Sequence, residues 1–208
     1  PERFNFARHL LALNSARSNK IAYRDDHSEL TYGELAQRVR CFAAGLLAQG
    51  VQPEQRVLLA MLDTIDLPVA FLGALYAGVV PVPVNTLLPA DNLAYMIAHA
   101  DARLVIGSDA LLPTLQQAIA QSGRAVPLVI SGTCPSDTGL PYAVLLDHPP
   151  LADAADTHAD QFAFWLYSSG STGRPKGTVH SHANLYWTAE LYGKPVLGLS
   201  EDDVVFSA

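Results

Sequence analysis

Residues 167–177 hold most of the chemistry this chain can offer: Tyr-Ser-Ser-Gly-Ser-Thr-Gly-Arg-Pro-Lys-Gly. Three glycines, four aliphatic hydroxyls and one lysine stand there, directly behind an apolar run. Glycine lets a backbone turn tightly and approach a ligand closely. Backbone N–H groups and hydroxyls clustered on such a turn can surround phosphate oxygens, and a lysine adds a mobile positive charge. The composition suits the holding of a polyphosphate. Neither common phosphate-loop spacing describes it. The pattern G-x-x-x-x-G-K-[ST], read from Gly170, finds Pro175 where its second glycine belongs and Gly177 where a hydroxyl should follow the lysine. The dinucleotide pattern G-x-G-x-x-G fails because Gly170 and Gly173 are three apart. A Gly/Ser/Thr run can also be a flexible linker. The apolar segment before it, the helical pattern soon after and the Pro-Lys-Gly behind it argue against that here.

The other reactive side chains carry weaker signals. His180 and His182 are two apart, with no carboxylate or cysteine at ligand spacing, so they read poorly as a metal pair. Tyr186, Trp187 and Tyr192 could line a pocket for an aromatic group, but at helical spacing they read first as core. Arg174 reads as a solvated loop charge. Cys41 falls in an amphipathic helical pattern and Cys134 in a Pro/Gly-rich stretch, which suits a core filler and a loop thiol.

The elements that must position the loop follow a βα rhythm. A short amphipathic helix is expected over 4–13, and a strand pair at 21–24 and around Leu30 flanks the turn Asp25-Asp26-His27-Ser28. Thr31-Tyr32-Gly33-Glu34 has the form of a capping box. The helix it starts carries Leu35, Val39, Phe42, Ala43 and Leu46 on one face and ends at Gly50. Strands follow at 56–61, 79–84, 104–106 and 126–130, alternating with helices at 67–77, 90–100 and 111–121. Prolines place the 79–84 strand at a sheet edge or a strand end. This alternation predicts an α/β fold of layered, largely parallel sheets flanked by helices, with ligand sites at the strand carboxyl ends. Residues 131–160, rich in Pro, Gly, Asp and Ala, read as a long excursion over the surface. A strand at 162–167 then feeds the loop, Val179 continues extended, a helix covers 184–191 with Gly193 as its cap, and 204–206 reads as a further buried strand.

Composition narrows the function classes. The chain has 208 residues and a formal net charge of −7, which argues against nucleic acid or an anionic membrane as a partner. The N-terminal residues lack a signal-peptide pattern, and the apolar run at 68–84 is broken by prolines and glycines well short of a membrane span. A cytoplasmic location is the default expectation.

The loop residues Ser168-Ser169-Gly170-Ser171-Thr172-Gly173-Arg174-Pro175-Lys176-Gly177 resemble, at every position, the signature [ST]-S-G-[ST]-T-G-x-P-K-G of the adenylate-forming superfamily. That superfamily comprises acyl-CoA synthetases, luciferases and peptide-synthetase adenylation domains. Leu30-Thr31-Tyr32-Gly33-Glu34-Leu35 resembles its early Leu-Thr-Tyr-x-Glu-Leu segment, and residues 77–85 resemble its Ala-Gly-x-x-x-x-Pro-[ILV]-[DN] segment. Residues 85–91 and 183–195 look like the benzoate–CoA ligase group within it.

The resemblance implies ATP-dependent activation of a carboxylic acid, benzoate or a related aromatic acid, to an acyl-adenylate and then an acyl-CoA thioester. The implied participants are ATP, Mg²⁺ and CoA as co-substrate. Ser168, Ser169, Ser171 and Thr172 are then hydroxyl donors to phosphate oxygens, Gly170 and Gly173 let backbone N–H groups point inward, and Lys176 is a charge partner or loop-positioning residue. His182 becomes a helix-entry or pocket-wall residue and Tyr186 a second pocket candidate. Residues 1–208 would form part of an N-terminal AMP-binding domain, carrying the triphosphate loop but neither the Mg²⁺ ligand nor the late catalytic lysine, and unable to complete catalysis alone. A homodimer is implied by the same analogy. Two rivals remain: a fatty-acid or other carboxylate–CoA ligase, and a non-catalytic nucleotide-binding module.

Overall fold

The computed structural model describes residues 3–168 and 174–207. The α/β alternation is as expected. Helix α1 (Phe6–Leu13) is started by Asn5, whose side-chain oxygen accepts the Arg8 N–H at 3.1 Å while its amide donates to the Leu75 carbonyl at 2.7 Å. Strands β1 (Ile21–Arg24) and β2 (Glu29–Thr31) form an antiparallel ribbon. The Asp25 carboxylate at its turn accepts the N–H groups of Ile65, His27 and Ser28, which hold its acid below the ordinary carboxylate value. Helix α2 (Tyr32–Ala48) opens on the expected capping box: Thr31 N–H donates to Glu34 at 2.8 Å, and Glu34 N–H donates back to the Thr31 hydroxyl at 3.3 Å. The α2 face of Leu35, Val39, Phe42, Ala43 and Leu46 is buried.

Next come β3 (Arg56–Ala60), α3 (Asp66–Tyr76), β4 (Val80–Pro83), α4 (Ala90–His99), β5 (Ala102–Ser108), α5 (Leu112–Gln121), β6 (Leu128–Ser131) and the two-residue β7 (Leu140–Pro141). The sheet order is β4-β3-β5-β6-β7, with every pair parallel. The prolines of β4 fit its place at the end of that order, because they have no N–H to give to a further neighbour. Alternation along β3 divides the interior. Val57 and Leu59 face the cluster built with α2 and α3, while Leu58 and Ala60 face the cluster built with α4 and α5. Gly78 ends α3 at φ +71°, a conformation other residues reach only with strain.

Three expectations need correction. Residues 131–160 do not stay on the surface: helix α6 (Ala143–Leu146) places Leu145 and, beside it, Tyr142 in the core. This is possible because α2 presents Gly45 there, and a Cβ on Gly45 would lie 2.6 Å from the Leu145 Cα. The last helix, α7 (His182–Thr188), starts two residues early, because the Asn184 side chain accepts the Ser181 N–H at 2.7 Å and fixes the entry. It then runs into a π-helical turn, Ala189–Gly193, so Gly193 lies inside the helical segment rather than capping it. Residues 204–206 are no buried strand. Val204, Val205 and Phe206 are 97%, 74% and 87% exposed, and no strand among the described residues pairs with them. An apolar run becomes a buried strand only where a sheet edge and an opposing layer receive it.

Candidate functional site

Strands β8 (Phe162–Ser168) and β9 (Lys176–Ser181) form an antiparallel hairpin, and β8 packs beside β4. The register sets Ser168 opposite Lys176, Tyr167 opposite Gly177 and Phe164 opposite His180. Directly opposed residues share a face and neighbours alternate. Ser168 and Lys176 therefore stand on one face, and Tyr167 on the other. Of the predicted phosphate-binding residues, Ser168 and Lys176 end the two limbs of this hairpin. Ser169, Gly170, Ser171, Thr172 and Gly173 lie outside the described residues.

Beside the hairpin, at the carboxyl ends of β3 and β4, lies an open cleft of about 390 Å³. Leu59, Met61 and Leu166 supply apolar walls, and Asp63, Asn85 and Thr86 add polar groups. The cleft is at the strand ends where open α/β sheets bind ligands. It lies on the β4 side rather than at the point where strand order reverses, between β3 and β5. There the Ser108 hydroxyl accepts the Leu62 N–H at 2.9 Å and the Ser131 hydroxyl donates to Asp66 at 2.7 Å, and both serines are buried. Those strand ends are tied to their own connections, and the space opens where β8 adjoins β4.

Tyr167 carries more of the local architecture than its type suggests. Its hydroxyl and His99 Nδ1 share a hydrogen bond of 2.7 Å. Burial pushes its acid dissociation up to about 12, so the hydroxyl stays protonated. His99 stacks on Tyr95 one turn earlier in α4, with centroids 5.3 Å apart and planes 26° from parallel. The Arg174 guanidinium lies 5.6 Å from the centre of the Tyr95 ring. Arg174 is therefore exposed but partnered, in contrast to the solvated charge expected. Neither Tyr95 nor His99 was evident from the sequence. Their spacing of four marks a shared helix face, but nothing in the chain announces that this face meets residues 68 positions further on.

The two neighbouring histidines diverge. His180 stacks on Phe164 with centroids 4.6 Å apart. His182 is 1% exposed, and its Nδ1 accepts the Phe6 N–H at 3.2 Å, so the neutral ring carries its proton on Nε2. Burial lowers its pKa to about 4. His182 thus sits at the entry of α7, as expected, and fastens that helix to α1. Tyr186 is half-buried against Phe4 and His9, at centroid distances of 5.9 and 5.5 Å. Trp187 and Tyr192 are each 52% exposed and do not form the core expected of them.

The described residues thus combine an open parallel α/β sheet with a hairpin whose limbs end in Ser168 and Lys176 and whose Leu166 and Tyr167 line the cleft at the strand ends. The model of the AMP-binding enzyme family matches residues 12–208, and the chain belongs to that family. Benzoate–CoA ligase of Thauera aromatica is 46% identical over 211 residues, covering 100% of this chain and 40% of that protein. A benzoate CoA ligase from Burkholderia xenovorans LB400 has a solved structure that superposes with a TM-score of 0.89 at 52% identity, over 96% of this chain and 39% of that one. An anthranilate CoA ligase, solved with anthranoyl-AMP, superposes at 0.93 with 29% identity, over 98% of this chain and 39% of its own. The chain thus spans about 40% of the length of these relatives. Among the described residues no helix is long and apolar enough to cross a membrane.

Proposed function

We propose that the protein to which this chain belongs activates an aromatic carboxylic acid, benzoate or a near relative, with ATP and transfers the acyl group to CoA. The observation that carries this reading is the hairpin: the strand that lines the cleft runs directly into the loop, and Ser168 stands opposite Lys176 where the loop begins and ends. The similarity to two benzoate CoA ligases and an anthranilate CoA ligase supports the aromatic class of acid.

In the first step a carboxylate oxygen attacks the α-phosphorus, the bond to the bridging oxygen of the β-phosphate breaks, and acyl-AMP and pyrophosphate form. In the second, the CoA thiolate attacks the acyl carbon and AMP leaves. The first step moves negative charge onto pyrophosphate, and donors already aimed at that charge lower the barrier without reorganisation. Ser168, Ser169, Ser171 and Thr172 are assigned as hydroxyl donors to the β- and γ-phosphates, with Gly170 and Gly173 keeping the backbone close enough for its N–H groups to join them. Lys176 supplies the countercharge. Its exposed position suits a group that reaches phosphate when nucleotide is bound. Mg²⁺ accompanies the nucleotide. Among the described residues no three His, Cys, Asp or Glu side chains group as a metal site, and no ligand is assigned to it on this chain.

The reading carries further assignments. Residues 1–208 form the loop-bearing part of a larger AMP-binding domain, acting in the cytoplasm, with a homodimer as the assembly and aromatic-acid consumption as the setting. His182 serves the acid pocket indirectly by fixing α7, and Tyr186 lies on the side of that helix packed against Phe4 and His9. The test is acid-dependent ATP–pyrophosphate exchange by the whole protein across a panel of acids. Benzoate-class acids driving exchange support the reading. Exchange with fatty acids alone would replace the aromatic assignment, and no exchange with any acid would favour a non-catalytic nucleotide-binding module.

A further inference from the structure

We propose that the Tyr95–His99 edge of α4 is a positioning device for the phosphate loop, gripping both limbs of its hairpin from outside. This deepens the ATP-site reading above and rests on it.

Two contacts reach the same helix edge from opposite sides of the loop. On the incoming limb, Tyr167 is the residue immediately before Ser168, and its hydroxyl bonds to His99 Nδ1 at 2.7 Å. On the outgoing limb, Arg174 stands two residues before Lys176, and its guanidinium covers the Tyr95 ring at 5.6 Å. The stack of Tyr95 on His99 joins the two grips into one unit. Tyr167 and Tyr95 both pack against the cluster of α4 and α5, so one side chain of each grip rests on the core, while its partner, His99 or Arg174, is exposed.

The geometry gives the anchor a function. Side chains alternate across the hairpin, so turning Tyr167 toward α4 turns Ser168, and Lys176 opposite it, to the other face. A half-turn of the β8 end would exchange the faces taken by Ser168 and by Tyr167, which now both borders the cleft and reaches His99. The tyrosine–histidine bond opposes that rotation. The Arg174 contact holds the return limb at the same level, so the rung of Ser168 and Lys176 stays closed. Neither Tyr95 nor His99 contacts nucleotide in this account. They act through the residues that do.

A cation–π contact at an exposed site corresponds to roughly a two- to five-fold effect on an equilibrium. In the whole protein, Tyr95→Leu and Arg174→Ala should each raise the KM for ATP in acid-dependent exchange about two- to five-fold and leave the KM for the acid unchanged. Tyr95→Phe keeps the ring and should restore the wild-type value. The double variant should be no worse than Tyr95→Leu alone, since that substitution already removes the Arg174 contact together with the stack on His99. A second reading is independent of activity. Tryptic cleavage after Lys176 should be several-fold faster in Tyr95→Leu and Tyr167→Phe than in wild type, at unchanged Tm, because the hairpin end opens more often. Wild-type KM for ATP in both single variants, additive losses, or equal cleavage rates would each overturn the proposal. Absence of exchange in the wild-type protein with every acid would instead overturn the functional reading, and the cleavage comparison would still decide whether α4 grips the hairpin.

Discussion

Replacing His182 with asparagine should remove a defined part of the acid sensitivity of this fold. The His182 ring is buried, neutral and fixed by the Phe6 N–H, with a pKa lowered from an ordinary 6.5 to about 4. The unfolded chain binds a proton near the ordinary value and the folded chain does not until well below it. Stability from this group is therefore complete above about pH 6.5, falls as pH drops, and is exhausted below about pH 4. The full loss is about 3 kcal/mol at 1.36 kcal/mol for each step of pKa. About 2 kcal/mol of it is gone by pH 5. Asparagine can offer its side-chain oxygen to the same N–H but does not titrate. Urea unfolding of wild type and His182→Asn at pH 7 and pH 5 isolates the effect, because the carboxylates that also titrate at low pH are common to both. Wild type should lose about 2 kcal/mol more than the variant over that interval. Parallel losses would refute the claim that a neutral, buried His182 fastens α7 to α1. A ring titration by NMR gives an independent check, with a midpoint near 6.5 as the contradicting value.

Further predictions concern packing, capping and the loop. Gly45→Ala sets a methyl group 2.6 Å from the Leu145 Cα, where the obstacle is backbone, and should destabilise the protein by about 1–3 kcal/mol in chemical unfolding. Thr31→Ala removes one half of the α2 capping box and should cost about 1 kcal/mol in the same assay; no change would show the box to be redundant. Lys176→Ala should weaken ATP–pyrophosphate exchange by raising the KM for ATP, and loss of acid affinity alone would displace the lysine from its assigned place.

The parts of this fold legible in the sequence are those set by local periodicity and local chemistry. The Thr31–Glu34 box, the α2 face from Leu35 to Leu46 and the prolines of β4 each announce themselves within a few residues, and each stands where expected. The motif at 168–177 pointed to the family whose model matches residues 12–208, because its residue types and spacing are distinctive within ten positions. What was hidden depends on distance along the chain. Leu145 enters the core only because Gly45, 100 residues earlier, leaves room for its backbone. Tyr95 and His99 read as ordinary helix residues until β8 arrives beside them. His182 read as a helix-entry or pocket-wall residue and stands at the entry of α7, but the Phe6 N–H that holds it belongs to the other end of the chain and could not be foreseen. The 204–206 run shows the converse failure: apolar character alone suggested burial, and no partner among the described residues provides it.

The central claim is that the hairpin ending in Ser168 and Lys176 holds the triphosphate during activation of an aromatic acid. Benzoate-dependent ATP–pyrophosphate exchange by the whole protein, with and without Lys176→Ala, tests it most directly. The account predicts exchange that requires the aromatic acid and falls in the variant through a raised KM for ATP. Exchange that is indifferent to the acid, or undiminished by loss of Lys176, would contradict it.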